Sequence, residues 1–211
     1  MLAANGFDNV ELWPRGADMA LFNPDRRSAA LRARWSGTTV GDAPPGIGAS
    51  RALKTIITYV GRISHEKNIG LLILAFRGLE ACVKMLDPNH PGCKVVLVGG
   101  GPAKMALEEE CGDLDIEFMG YQKGEELAAC YASSDIFAFP SHSETFGNVV
   151  LEALASGLPV IGLRAEGVCD LVEDGRTGVS WHHTMRARRR LRVIDATAGR
   201  LLAGHDGPAR C

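Results

Sequence analysis

The sequence predicts an α/β fold, an open and mainly parallel sheet with helices on both faces. Short strand-like runs alternate with segments of helical periodicity, and those ending at Val60, Val98 and Met119 are followed at once by a glycine. The stretch from Asp135 to Gly162 also reads as strand, loop, helix, turn and strand in succession, a unit for which a right-handed crossover is expected.

Asn9 to Leu12, followed by Trp13, Pro14, Arg15, Gly16, Ala17 and Asp18 and then by Phe22, Asn23 and Pro24, is too short for a domain. It reads either as a surface strand and turn or as a connector. Arg26 to Arg34 can form one helical stretch. Ser36 to Ser50, rich in Gly, Pro, Ala and Thr, offers nothing to bury and is expected to be a mobile loop without a function. Thr55 to Val60 is the first core strand. Gly61, Arg62, Ile63, Ser64, His65, Glu66, Lys67 and Asn68 lead from it into a helix whose buried face is Ile69, Leu72, Ile73, Phe76 and Leu79. Arg62 and Lys67 thus share a strand-to-helix loop. Two cations there either stand in solvent or converge on a pyrophosphate with the helix N-terminus behind it. His65 is expected to be an exposed loop residue, since no second His or Cys stands beside it at ligand spacing.

Lys94 to Val98 is the next strand, ending in Gly99, Gly100, Gly101 and Pro102 before a helix with Met105, Ala106 and Leu107. Gly99 and Gly101 fill the first two places of a dinucleotide-binding G-x-G-x-x-G, and Glu117 lies near where a ribose-binding acid falls. The third place is Lys104, which obstructs the close helix packing that a glycine permits and argues against a dehydrogenase. Asp115 to Met119 makes a further strand, Gly120 opens the loop after it, and Glu125 to Tyr131 is a short helix.

Ile136, Phe137, Ala138 and Phe139 form an apolar run of the kind a doubly covered parallel strand shows, and Pro140 ends it. Ser143 or Thr145 can cap a helix beginning near Phe146 that buries Val149, Val150, Ala153 and Leu154. Gly157 supplies a left-handed stop, Pro159 follows, and Val160 and Ile161 start another strand. The loop lies at a strand's carboxyl end, where open α/β sheets bind ligands, and the first-turn amides at Phe146, Gly147 and Asn148 are free to meet an anion. Glu144 stands just before them and Glu152 lies within the helix. Taken alone, two glutamates with seven residues between them read as solvated carboxylates.

With Phe146, Gly147, the Glu-Ala-Leu-Ala-Ser-Gly run and Pro159, however, Glu144 and Glu152 resemble the signature of the retaining GT-B glycosyltransferases of family 4. Gly-Arg followed by Glu-Lys-Asn at 61–68 resembles the same family's donor-diphosphate clamp, and the Gly-Gly-Gly-Pro turn resembles its turn at the corresponding strand. GVCDLVEDGRTG, from Gly167 to Gly178, continues the pattern with Asp170 where a Glu is common. Among family members the nearest forms are GDP-mannose-dependent mannosyltransferases and sulfolipid synthases. The resemblance implies a Rossmann-like domain, the C-terminal, donor-binding half of a GT-B fold. Its activity would be transfer of a sugar from a nucleotide diphosphate sugar to an acceptor hydroxyl, with no metal or other cofactor. It implies catalytic roles for Arg62, Lys67 and Glu144. Donor-binding roles fall to Gly61, to Met119, Gly120 and Tyr121 through their backbone at the base, to Phe146, Gly147, Asn148 and Val149, and to Glu152 at the ribose. The Arg15-Gly-x-Asp18 segment then resembles the family's junction with an acceptor-binding half. A sugar or lipid acceptor, and peripheral membrane association, would come through that half, which lies outside this chain. The other reading is a non-catalytic nucleotide-sugar-binding module.

A chain of 211 residues, 46% of them hydrophobic, can bury a core, and its net charge of −2 gives no general attraction to nucleic acid. The longest apolar stretch, Ile69 to Phe76, is too short to span a bilayer and no basic region precedes an apolar N-terminal segment, which points to the cytoplasm. The cysteines at 82, 93, 111, 130, 169 and 211 form no C-x-x-C pair and are expected to be reduced thiols. After Val179 the family pattern stops. Arg186, Arg188, Arg189, Arg190 and Arg192 suggest nucleic acid or acidic lipid, but so abrupt a change of composition reads better as a truncated or misread end. The expected organisation is a connector and loop over 1–51, a nucleotide-sugar-binding domain over 52–179, and a disordered or aberrant tail over 180–211.

Overall fold

The computed structural model describes residue 6 and residues 16–38, 53–142, 147–163, 168, 171–173 and 175–181. Four stretches on which expectations fall lie outside those residues: 7–15, 39–52, the loop holding Ser143, Glu144, Thr145 and Phe146, and 182–211. Asp170 lies outside them as well.

Six strands form one parallel sheet. β1 (Thr55–Val60), β2 (Cys93–Val98), β3 (Ile116–Gly120), β4 (Ile136–Phe139), β5 (Val160–Leu163) and β6 (Gly178–Trp181) lie side by side in the order β3-β2-β1-β4-β5-β6. Every residue of β4, and all of β1 but Thr55, is buried. Successive side chains point to opposite faces, so both faces of the central strands are covered, which is the arrangement the continuous apolar runs demand. The Ile136–Phe139 strand and the Thr55–Val60 strand have the bounds expected of them. β2 starts one residue early, at Cys93. Gly120, expected to open the loop, is instead the last residue of β3: a register shift between Leu97 and Val98 pairs Val98 with Gly120.

The helices are α1 (Ala29–Ser36), α2 (Ile69–Leu86), α3 (Lys104–Glu110), α4 (Gly124–Ala132) and α5 (Asn148–Ala155). The α2 face buried in the core is Ile69, Leu72, Ile73, Phe76 and Leu79, as the periodicity predicts. None of these helices is long and apolar enough to cross a membrane. The single helix expected over Arg26–Arg34 is instead a short 3-10 turn, Pro24–Arg26, followed by α1. The break has a local cause, for Ser28 is extended and its hydroxyl accepts the Leu31 N–H, capping a new helix. α1 continues through Ser36, which was expected to begin a loop.

Residues 17–36 pack onto the sheet domain. Trp35 is 1% exposed and its Nε1–H donates to Glu117 in β3 (3.2 Å). Arg32 reaches Asp135 (2.5 Å) and the Lys54 carbonyl (3.1 Å), while the other bonds of Asp135 Oδ2 include the Ile56 N–H (2.8 Å). This part-buried ion pair ties α1 to the amino ends of β1 and β4. Among the described residues Cys82, Cys93, Cys111 and Cys130 are free thiols. Burial first, with the charges of Glu80 and Asp135 after it, pushes Cys93 up to about 12, so that thiol is inert near neutrality.

Candidate functional site: the carboxyl ends of β1, β3 and β4

The strand order places the site. The chain runs outward from β1 through β2 to β3, then returns to lay β4 on the other side of β1. Loops leaving β1 and β4 therefore diverge, and the crevice between them is the switch point at which open α/β sheets bind ligands.

On the β1 side the backbone is fixed by its neighbours. Gly61 N–H donates to the Val98 carbonyl (3.0 Å), Ile63 N–H to the Gly100 carbonyl (2.9 Å), and Ala103 N–H to the Ile63 carbonyl (3.1 Å). The Tyr59 hydroxyl, at the end of the same strand, donates to the Arg62 carbonyl (3.0 Å). These contacts hold the Arg62 main chain while its side chain is exposed. A 3-10 turn, His65–Lys67, follows, and Asn68 in the left-handed region (φ 56°) turns the chain into α2. Lys67 is half-buried on that turn, and His65 is exposed. The two cations share one short loop, as their spacing implies.

Gly99 and Gly101 act structurally. A Cβ on Gly99 would stand 1.9 Å from the Gly61 carbonyl oxygen, and one on Gly101 2.2 Å from that of Ile63. Their φ angles, 138° and 159°, also favour glycine. The glycines are thus where the β2 turn presses on the loop that carries Arg62. Glu117, the acid of the dinucleotide alternative, is spent elsewhere, on Trp35, Arg34 (2.7 Å) and Lys94 (3.5 Å).

On the β4 side the helix begins later than expected. α5 starts at Asn148, its N-cap is Gly147 in the left-handed region (φ 60°), and no side chain caps it. The expected caps Ser143 and Thr145, and the Phe146 amide, lie outside the described residues. Val150 N–H and Leu151 N–H both turn back to the Gly147 carbonyl (2.8 and 3.0 Å). The amides of Asn148 and Val149 precede the helical ladder and have no intrahelical acceptor. Asn148 is exposed and Val149 half-buried, whereas Gly147 is buried.

Glu152 is the fifth residue of α5, and it is held. Its Oε2 accepts the hydroxyl of Tyr131, from α4, at 3.0 Å. Burial raises the Glu152 carboxyl above the ordinary range, and the Tyr131 hydrogen bond offsets only part of that. Tyr131 is fully buried. Burial first, with the adjacent Glu152 charge and hydrogen bond after it, drives its hydroxyl well above the usual phenol, so it is a permanent donor. Nothing in the sequence flags this pair, since the partners are 21 residues apart with β4 between them.

At the end of β3 the Met119 carbonyl accepts from Gln122 Nε2 (3.0 Å) and the Gly120 carbonyl from Gly99 N–H (2.7 Å). Tyr121 there is 80% exposed. Parallel strands lie about 4.8 Å apart, so β3 ends roughly 10 Å from β1, a separation that the length of a nucleotide can cover. Among the described residues no three His, Cys, Asp or Glu side chains come together as metal ligands.

A family model described as "Glycosyl transferases group 1" matches residues 47–189. Sulfoquinovosyl transferase SQD2 of Arabidopsis thaliana is 35% identical over 178 residues, covering 83% of this chain and 30% of that protein. A GDP-mannose-dependent alpha-mannosyltransferase of Mycobacterium tuberculosis is 38% identical over 178 residues, covering 84% of this chain and 40% of its own. The chain therefore spans 30 to 40% of the length of these relatives. Among solved structures, Anabaena Alr3699/HepE in complex with UDP superposes with a TM-score of 0.65 at 23% identity, over 88% of this chain and 47% of that one.

Proposed function

Because the chain belongs to the glycosyl transferases group 1 family, we propose that its sheet domain is the donor-binding half of a retaining glycosyltransferase. The crevice between the β1 and β4 ends would hold the diphosphate of a nucleotide sugar. One observation carries this reading: β1, whose outgoing loop bears Arg62 and Lys67, lies beside β4 at the switch point, and the chain after β4 enters a helix whose first amides lack intrahelical acceptors and whose second turn bears Glu152.

In the reaction, negative charge grows on the departing diphosphate. Arg62, Lys67 and the amides of Asn148 and Val149 neutralise it, a role that calls for no metal ion. Glu152 accepts from the ribose hydroxyls, and Glu144 from the hydroxyls of the transferred sugar. The base lies toward Met119, Gly120 and Tyr121. The relatives' names point to mannosyl and sulfoquinovosyl transfer, so the donor is either of these sugars on a nucleoside diphosphate. The acceptor, and any membrane contact, belong to surfaces beyond this domain. Because the chain spans less than half of its relatives, a second reading is that it acts by itself as a nucleotide-sugar-binding module.

Calorimetric titration tests the site. UDP and GDP are compared with uridine and guanosine on the wild-type chain and on Arg62→Ala and Lys67→Ala. Each substitution should weaken the diphosphate by about 1.5–3 kcal/mol, less where water enters, and leave the nucleoside nearly unchanged. Equal losses for both ligands would remove these cations from the diphosphate site.

A further inference from the structure

We propose that Tyr131 is a positioning residue for nucleotide recognition: packed against Phe22, its hydroxyl holds one carboxylate oxygen of Glu152 so that the other is presented to a ribose. The proposal rests on the reading of Glu152 as the ribose acceptor. It adds a residue that the family signature at 144–159 does not contain, and it links the segment before the domain to the nucleotide.

The contacts form one line. Phe22 is 7% exposed and meets the Tyr131 ring edge-to-face, with centroids 5.8 Å apart and planes at 83°. On another side Tyr131 packs on Phe137 of β4 at 5.7 Å. An aromatic ring gripped by two others has little rotamer freedom, so its hydroxyl is a fixed point. That point is 3.0 Å from Glu152 Oε2. A carboxylate on a helix can turn about its terminal torsion, and binding it at one oxygen sets the direction of both. The segment that supplies Phe22 is itself anchored. Asp18 caps its turn through the Ala20 and Leu21 N–H groups (3.0 and 3.2 Å), and the Pro24 ring lies where a Cβ on Gly157, just past α5, would approach to 3.1 Å. Residues 18–24 thus touch both α4 and the end of α5, the two helices whose side chains meet at Glu152.

A purely structural Tyr131 would affect every ligand alike, whereas a positioning Tyr131 affects only the ribose hydroxyls. The measurement is a ratio of affinities. UDP or GDP, whichever the chain binds more tightly, is compared with its 2′,3′-dideoxy counterpart. The wild-type chain should prefer the ribose form by about tenfold or more, and Glu152→Gln should abolish most of that preference. Tyr131→Phe, which removes one oxygen, should lower the ribose ligand's affinity about tenfold and leave the dideoxy ligand unchanged. Phe22→Leu should reduce the ratio several-fold, and it alone decides should Tyr131→Phe not fold. If the wild-type chain ignores the hydroxyls, or Glu152→Gln keeps the full preference, the ribose reading itself is wrong and the proposal falls with it. If Glu152→Gln loses the preference while Tyr131→Phe keeps it, or loses both ligands equally, the ribose reading stands and the positioning role is overturned.

Discussion

Glu152 carries a cost that its environment makes measurable. Its folded-state pKa lies above its unfolded value, so between the two the folded chain binds more protons than the unfolded chain, and stability falls as pH rises through that window. Glu152→Gln keeps an acceptor for Tyr131 and removes the buried charge. The variant should melt higher than wild type near pH 8, with the advantage shrinking as pH is lowered toward the ordinary carboxylate range. Thermal melts across that interval check it, and an advantage that grows on acidification would contradict the burial argument. At the same residue scale the two glutamates separate by ligand: Glu152→Gln should weaken a nucleoside diphosphate and its sugar-bearing form alike, while Glu144→Gln should weaken only the latter. The signature made both visible in the sequence. The bond from Tyr131 was not visible, because a phenol in an apolar helical pattern reads as core until its partner is known.

Elements meet closely at the glycines of the β2 turn. The obstructing atoms beside Gly99 and Gly101 are backbone oxygens of the Arg62 loop, which cannot swing aside as a side chain does. Gly99→Ala and Gly101→Ala should each destabilise the chain by more than about 1–3 kcal/mol, the cost of the strained φ alone, and should also weaken diphosphate binding by displacing Arg62. Gly100 has open space around its Cβ direction and φ outside the left-handed region, so Gly100→Ala is the control, with effects near zero on both urea melts and titrations. The run of three glycines was legible as a turn; which two are indispensable depends on a neighbouring loop about 38 residues upstream. The late start of α5 has a similar origin. A polar residue ahead of an apolar helical face suggests a side-chain cap, yet the chain enters through left-handed Gly147.

For the whole molecule, residues 17–36 behave as part of the domain. Among the described residues Trp35 is the largest fully buried side chain, and Trp35→Ala should cost about 3–5 kcal/mol, read by denaturant unfolding of the full chain. A loss below 1 kcal/mol would mean that α1 is not a structural component of the domain. Catalysis is a separate matter from folding. Transfer needs an acceptor oriented against the donor, and orientation of two substrates is worth several kcal/mol of barrier. On the donor-half reading, the 211-residue chain should bind UDP or GDP and transfer no sugar from the corresponding nucleotide sugar. Sustained release of nucleoside diphosphate with a sugar acceptor present would overturn that expectation.

The sequence by itself determined the alternation of strand and helix, the extents of Thr55–Val60 and Ile136–Phe139, the buried face of α2, and the family signature that drew Arg62, Lys67, Glu144 and Glu152 into one hypothesis. Each of these is written in near-neighbour patterns: a period of two or of 3.6, a breaker after an apolar run, a spacing within one loop and helix. Tertiary structure decided that β4 returns beside β1 and so where the crevice opens. It also set Glu117 against Trp35, pressed the β2 glycines on the Arg62 loop, and laid Phe22 on the tyrosine that holds Glu152. Those contacts join residues up to about a hundred positions apart, and only the folded chain, by burying them together, makes one the condition of the other.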